Sequence, residues 1–261
     1  MLNFSREISN IGPEAVAMIG DFKIVNSTLM ILFIALLLLV VYFVWVRRFQ
    51  ERPEGAQGFM EVLYDSIASF VDQITSNRTM SEQILPIIAT LFIFLGISNL
   101  IGLIPGLTSI TIGDVPLFRS PTADFNLTFV LALGAVVAIQ IAAMKKYGMF
   151  AHIGEYLKFK HVFKSFKQGL KQGVMSIIDF AIGILDIIGE FAKVVSLSLR
   201  LFGNIYAGEV LAVILVGAFA WIVPATWTAM NVLVGVIQAL VFGSLVAAYY
   251  TLAMSNEVES R

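Results

Sequence analysis

The chain has 261 residues, 58% hydrophobic and only 13% charged, with 17 Lys and Arg against 18 Asp and Glu for a formal net charge of −1. A soluble globular protein carries about 25% charged residues, so this composition belongs in a lipid bilayer. The net charge by itself says nothing about nucleic acid, though no basic low-complexity tail offers it a site; the absence of cysteine excludes disulfides and thiolate sites, and two histidines leave little for a metal centre.

Taken in order, residues 1–27 are mixed in character and broken at Gly12-Pro13, and read as an outer arm with a short surface helix. Residues 28–46 are almost purely apolar, and about 20 such residues span a bilayer once. Arg47 and Arg48 follow this run, whereas a cleavable signal has its positive charge ahead of a shorter apolar core, so it reads as a retained first span. Over 58–77, Phe59, Val62, Leu63, Ser66, Ile67, Phe70, Val71 and Ile74 form a helical stripe with Glu61, Asp65 and Asp72 opposite. That pattern predicts an amphipathic helix on or beside the membrane. A second span covers 84–105, ending at Ile104-Pro105-Gly106, and the Thr-, Ser-, Gly- and Pro-rich stretch 107–124 reads as a loop. A third span covers 125–144. The inner segment 145–172 carries Lys145, Lys146, Lys158, Lys160, Lys164, Lys167 and Lys171.

Two apolar segments of unusual length remain, 173–216 and 225–254, separated around Pro224. As helices they would run to roughly 66 Å and 45 Å, against about 30 Å of hydrocarbon. Either the first breaks near Gly183 or Gly189, or the two lie as a steeply tilted hairpin; the lack of Pro in 173–216 favours tilt. The fold class expected is therefore all-α and integral to the membrane, with five spans plus an amphipathic helix. With the N-terminus outside, Arg47, Arg48, Arg52, Arg78, the seven lysines above and Arg261 fall inside, against Arg6, Lys23 and Arg119 outside. Twelve against three is a positive-inside bias that puts the C-terminus in the cytoplasm.

Asp179, Asp186, Lys193 and Arg200 recur every seven residues along the first long segment, and Glu190, Ser196 and Asn204 widen that stripe. Asp186 or Glu190 could neutralise Lys193 in an internal seam that merely holds helices together, a reading as good as a functional one for these three. Arg200 has no acid three or four residues away, so its counter-charge must come from another segment or another chain. Because an Arg at mid-membrane costs at least ~2.5–3.5 kcal/mol, a partner protein with a membrane carboxylate is the natural inference. Glu209 lies nine residues on, pointing almost opposite to Arg200, and is followed by two apolar turns; such a group lines an aqueous pocket and relays a proton or cation by default. Asn231 and Gln238 share one face of the last segment, where helix–helix hydrogen bonding is an equally good account of Gln238.

These residues carry a resemblance. Ser196-Leu-Ser-Leu-Arg-Leu-Phe-Gly-Asn-Ile-Tyr-Ala-Gly-Glu209, Gln238-Ala-Leu-Val-Phe242 followed by Tyr249-Tyr250, Asn99-Leu-Ile-Gly-Leu-Ile-Pro-Gly106 and Ala123-Asp-Phe-Asn-Leu-Thr128 together resemble, in order and spacing, the a subunit of F-type ATP synthases in its bacterial form. The resemblance covers about 28–254. Two positions depart from the family's habits: Val194 stands where Pro often follows the basic residue, and Asn231 where His or Glu is common.

The resemblance implies a stator subunit that is not an enzyme by itself, with no cofactor or metal, in the bacterial plasma membrane. Its partners would be the c-subunit ring, the b subunits of the peripheral stalk, the other synthase subunits and the lipid bilayer. Arg200 would face the ring, attract its ionised carboxylate and block direct leakage between two aqueous half-channels. Glu209, with Asn126, Asp124 and Asn231 as weaker candidates, would line the outer half-channel. Asn204 and Gln238 would complete the path, Gln238 holding Arg200 across the hairpin, with Lys193, Glu190, Asp186 and Ser196 in support. A secondary ion transporter would instead show inverted repeats, and no half-to-half similarity is present. A purely structural scaffold would tolerate loss of Arg200. No Gly-rich phosphate loop ending in Lys-Ser or Lys-Thr occurs.

Overall fold

The computed structural model describes residues 13–19, 21–47, 55–104, 107, 110–112, 115–149, 170–218 and 222–255. Gly12, Arg48, Arg52, Pro105-Gly106, most of the Lys-rich segment and Arg261 lie outside the described residues, as do the side chains of 170–177 and Asp179. Among the described residues are four strands, β1 (Ala15–Ile19), β2 (Phe22–Val25), β3 (Thr111–Ile112) and β4 (Val115–Pro116). The α-helices are α1 (Asn26–Val46), α2 (Ala56–Thr75), α3 (Arg78–Ile101), α4 (Phe125–Tyr147), α5 (Leu170–Ala218) and α6 (Ile222–Ser255).

Of the arm before α1, residues 1–12 lie outside the described residues, and the described part is an antiparallel hairpin, β1 against β2. Asn26 ties that hairpin to α1. Its Oδ1 accepts from the Glu14 and Ser27 amides at 3.3 and 2.9 Å, and its Nδ2 donates to the Pro116 carbonyl at 3.4 Å. α1 contains no charged residue, and large side chains such as Leu32, Leu36 and Tyr42 stand exposed around it, as suits a helix bathed in lipid.

α2 is two-faced. Ile67, Val71 and Thr75 are buried, while Asp65 and Ser66 are exposed alongside Phe59, Val62 and Tyr64. Ser76 then adopts a left-handed conformation (φ 52°), and Asn77 caps α3 by accepting from the Thr79 and Met80 amides. This cap explains why α3 begins at Arg78, six residues before the apolar run: hydropathy marks what lies in lipid, but capping marks where the helix starts. Arg78 bridges Asp72 and Glu82 at 2.8 and 2.9 Å, fully in the open; an exposed pair of this kind contributes little.

The stretch expected as a plain loop holds more structure. β3 and β4 pair antiparallel, Pro121–Ala123 form a 3₁₀ turn, and Asp124 caps α4 by accepting from the Asn126 amide at 2.9 Å. α5 runs 49 residues straight through Gly183 and Gly189, and α6 runs 34 with Pro224 confined to its first turn, where no backbone donor is lost.

Among the described residues, four helices are long and apolar enough to cross a membrane, within 26–44, 78–101, 125–147 and 222–255. α5 is long enough but is set apart by Asp186, Glu190, Lys193, Arg200 and Glu209. The chain divides into two compact units, residues 1–128 with 199–248 and residues 129–198 with 249–261. The first holds both hairpins, α1 to α3, the C-terminal part of α5 and all of α6 but its last two turns. In the second, Tyr147 donates its hydroxyl hydrogen to the Met254 carbonyl at 2.6 Å, joining the ends of α4 and α6.

Candidate functional site

The site lies in the first unit, where α5 meets α6 and the stretch before α4. Along α5, Leu197, Ser198, Leu201 and Gly208 are buried, while Arg200, Asn204, Ala207, Leu211 and Ile214 are exposed. The exposed residues follow steps of three and four, so they form one continuous face. No hydrogen bond or ion pair reaches Arg200 among the described residues. Asn204, one turn on, donates through Nδ2 to Gln238 Oε1 at 2.7 Å. Gln238 was expected to hold Arg200; the bond runs to Asn204 instead. Gln238 is 3% exposed, and its Nε2 is buried without a partner, so a donor remains unused beside this pair.

Glu209 meets a residue that sequence reasoning passed over. Arg119 Nη2 donates to Glu209 Oε2 at 3.3 Å, with side-chain exposures of 9% and 29%. Next to it α5 and α6 come close together: Trp227 Nε1 donates to the Gly208 carbonyl at 3.1 Å, and a Cβ on Gly208 would stand 3.1 Å from Asn231 Oδ1. Asn231 therefore neighbours the Glu209 region through Gly208, as a neutral group. Asn99 adds a further bridge. Its Nδ2 donates to the Gly235 carbonyl at 3.0 Å and its Oδ1 accepts from the Thr122 hydroxyl at 2.8 Å, so the end of α3, the 3₁₀ turn and α6 are laced together. Arg119 does not stand in an apolar run that would flag it, whereas Asn99 lies within the second span.

Asp124 is 5% exposed and fully engaged, accepting the Ser27 hydroxyl at 2.6 Å with one oxygen and capping α4 with the other. Its geometry is that of a structural carboxylate. Asn126, whose backbone amide donates to Asp124, is exposed at the start of α4. Phe202 stacks on Tyr206 and meets Phe125 edge-on, at 5.0 and 5.8 Å between ring centroids.

In the second unit Lys193 donates to Glu190 and lies 5.2 Å over the ring of Tyr249. That is the internal seam weighed from sequence: two opposite charges one turn apart neutralise each other, with the aromatic face adding a cation–π contact. Asp186 and Ser196 are exposed.

Comparison with known proteins gives one consistent answer. Residues 28–251 match the family described as ATP synthase A chain. The chain is 34% identical over 232 residues to the ATP synthase subunit a of Desulforamulus reducens, covering 85% of this chain and 77% of that one. It is 33% identical over 241 residues to the ATP synthase subunit a of Gloeobacter violaceus, covering 92% and 88%. It is 30% identical over 243 residues to the ATP synthase subunit a of Enterococcus faecalis, covering 89% and 91%.

Proposed function

The chain belongs to the ATP synthase A chain family, and from that premise we propose how its residues couple ion flow to rotation. It is the proton-translocating stator subunit of the membrane sector of an F-type ATP synthase, and a multi-pass membrane protein. In this reading α5 is the fourth of five spans, α5 and α6 form a tilted hairpin against the c-subunit ring, and α2 lies at the membrane surface. The b subunits of the peripheral stalk hold the chain against rotation. The N-terminus lies outside and the C-terminus in the cytoplasm.

The observation that carries the reading is Arg200: a permanent cation exposed on α5, with no partner among the described residues of its own chain. In lipid such a charge is tolerable only opposite an external carboxylate or water. A ring of small subunits, each with one membrane carboxylate, supplies that partner repeatedly as it turns. The small Ala207 and the polar Asn204 on the same face let another helix pass closely. From Arg200 a polar ladder climbs α5 toward the outside, first Asn204 with Gln238, then Glu209 with Arg119. At 1.5 Å per residue, Glu209 lies about 14 Å above Arg200, a fitting separation for an outer half-channel that delivers protons to the ring. Each proton crossing releases ~2.3 kcal/mol per 100 mV. Lys193 and Glu190, already neutralised by each other, act in support.

Two expected results test this arrangement. Cysteines replacing Ala207 and Leu211, in this cysteine-free chain, should form disulfides with cysteines placed beside the ring carboxylate; failure of the whole series to crosslink would remove the ring from this face. For orientation, Ile110→Cys should react with an impermeant thiol reagent from outside and Lys146→Cys from the cytoplasm alone. Labelling of both from one side would overturn the five-span topology.

A further inference from the structure

Arg119 is held as few loop arginines are. The residue before it, Phe118, packs its ring 5.7 Å from that of Phe33 on α1. The residue after it, Ser120, sits so close to the end of α3 that a Cβ on Gly102 would lie 2.7 Å from Ser120 Cβ. Upstream, the Leu117 amide donates to the Ile110 carbonyl at 2.8 Å, closing the β3–β4 hairpin. Downstream, Ser120 and Thr122 pair their hydroxyls at 3.1 Å, and Thr122 is fixed on Asn99. The chain is thus clamped on both sides of a guanidinium that is itself 9% exposed in its side chain and delivered to Glu209 at 3.3 Å. A flexible surface loop would need none of this; an arginine that must sit at one place does.

From this geometry we propose that Arg119 is a positioning residue for ion transfer: it fixes the Glu209 carboxylate at the mouth of the outer half-channel and sets the outer pH at which that carboxylate loads and unloads. The inference rests on Glu209 lying in the ion path. Of the elements packed here, the loop contributes Arg119 as the charged group. α6 contributes Trp227 and Asn231, neither of which titrates, and Tyr206 lies one turn earlier on α5. A cation beside a carboxylate favours its ionised form. Removing the cation makes the carboxylate hold its proton to higher pH. Release to the outside during ATP-driven pumping then becomes slower at low outer pH, and the acid limb of the pumping profile moves upward.

The test uses the whole synthase in vesicles, with proton flux measured against the pH on the outer side of the chain. Arg119→Gln should move the acid limb up by about one pH unit, the low end of what an opposite charge achieves. Arg119→Lys, which keeps a cation, should retain most of the native profile. In a Glu209→Gln background, Arg119→Gln should lower flux no further, because its target is gone. Should Arg119→Gln fail to assemble, Gly102→Ala serves instead: it keeps the charge but must displace Ser120, and a smaller shift in the same direction is expected. A native pH profile in whichever of these two variants assembles, an equal shift for Lys and Gln, or added loss in the double variant would each overturn the role of Arg119. Normal flux in Glu209→Gln alone would instead remove Glu209 from the path, a different failure that leaves the two distinguishable.

Discussion

Arg200→Ala should abolish ATP-driven proton pumping and ATP synthesis while raising the passive proton conductance of the membrane sector. The two effects have separate causes. A guanidinium about 4 Å from a carboxylate, at an effective dielectric near 20, gains about 4 kcal/mol, worth roughly a thousandfold in the ionised form of the ring carboxylate. Without it, the carboxylate facing the stator stays protonated and the ring does not release its proton where it should. The same charge repels a proton crossing directly between half-channels, so its loss opens a leak that needs no rotation. Arg200→Lys separates these effects. Lysine keeps a charge but not the planar fork, and in a dry site it can give up its proton. Coupled synthesis should therefore still fail, with less leak than for Ala. Proton flux in vesicles, before and after the catalytic part is stripped away, measures both. Native synthesis in Arg200→Ala would end the assignment of Arg200 as the coupling charge.

The physics of lipid explains which features were legible in the sequence. α1 and α6 read clearly because a membrane helix announces itself by an apolar run, and their observed ends, Asn26–Val46 and Ile222–Ser255, differ by a few residues from the runs. The start of α3 at Arg78 did not, since Asn77 sets it through capping bonds that hydropathy does not register. The pairs β1–β2 and β3–β4 escaped because strands of five residues or fewer show too little alternation to stand out from a mixed arm or a polar loop. A continuous α5 was legible in the absence of proline.

The site divides the same way. Arg200, Asn204, Glu209 and Gln238 stand out because each is polar where nearly everything else is apolar, and lipid makes such residues expensive. Arg119 is hidden by its neighbourhood: an arginine between Phe118 and Ser120 in a loop is ordinary, and only the fold brings it to a carboxylate 90 positions away. One question of chemistry could have found it. Glu209 cannot have Arg200 as its partner, since the two point apart on one helix, so a second cation had to be sought in the outer loops. Gln238 is a related case. The periodicity of α5 puts Arg200 and Asn204 on one face without saying which of them the facing helix meets, and the hydrogen bond goes to Asn204.

Glu209→Gln should leave the synthase assembled and slow its proton flux by roughly a hundredfold, the low end of what a positioned acid–base group contributes. The amide keeps the shape and an acceptor for Arg119, now without the charge, so the loop stays docked while the capacity to carry a proton is lost. Glu209→Leu is the harsher change. It removes the carboxylate to which Arg119, 9% exposed, donates, and breaking a largely buried pair costs up to about 3–5 kcal/mol; reduced assembly is the expected result there. Glu209→Asp keeps the chemistry but draws the carboxylate back by one methylene from a contact already at 3.3 Å, and should retain part of the flux. Glu209→His supplies a group that titrates near neutrality and should do likewise. With Asn231 unable to carry a proton and no carboxylate or histidine along α6, no second group of that kind on the facing helix masks these losses. The measurement is ATP-driven acidification of vesicles, normalised to the amount of assembled complex. Native rates in Glu209→Gln at native assembly would show that protons reach the ring by another route.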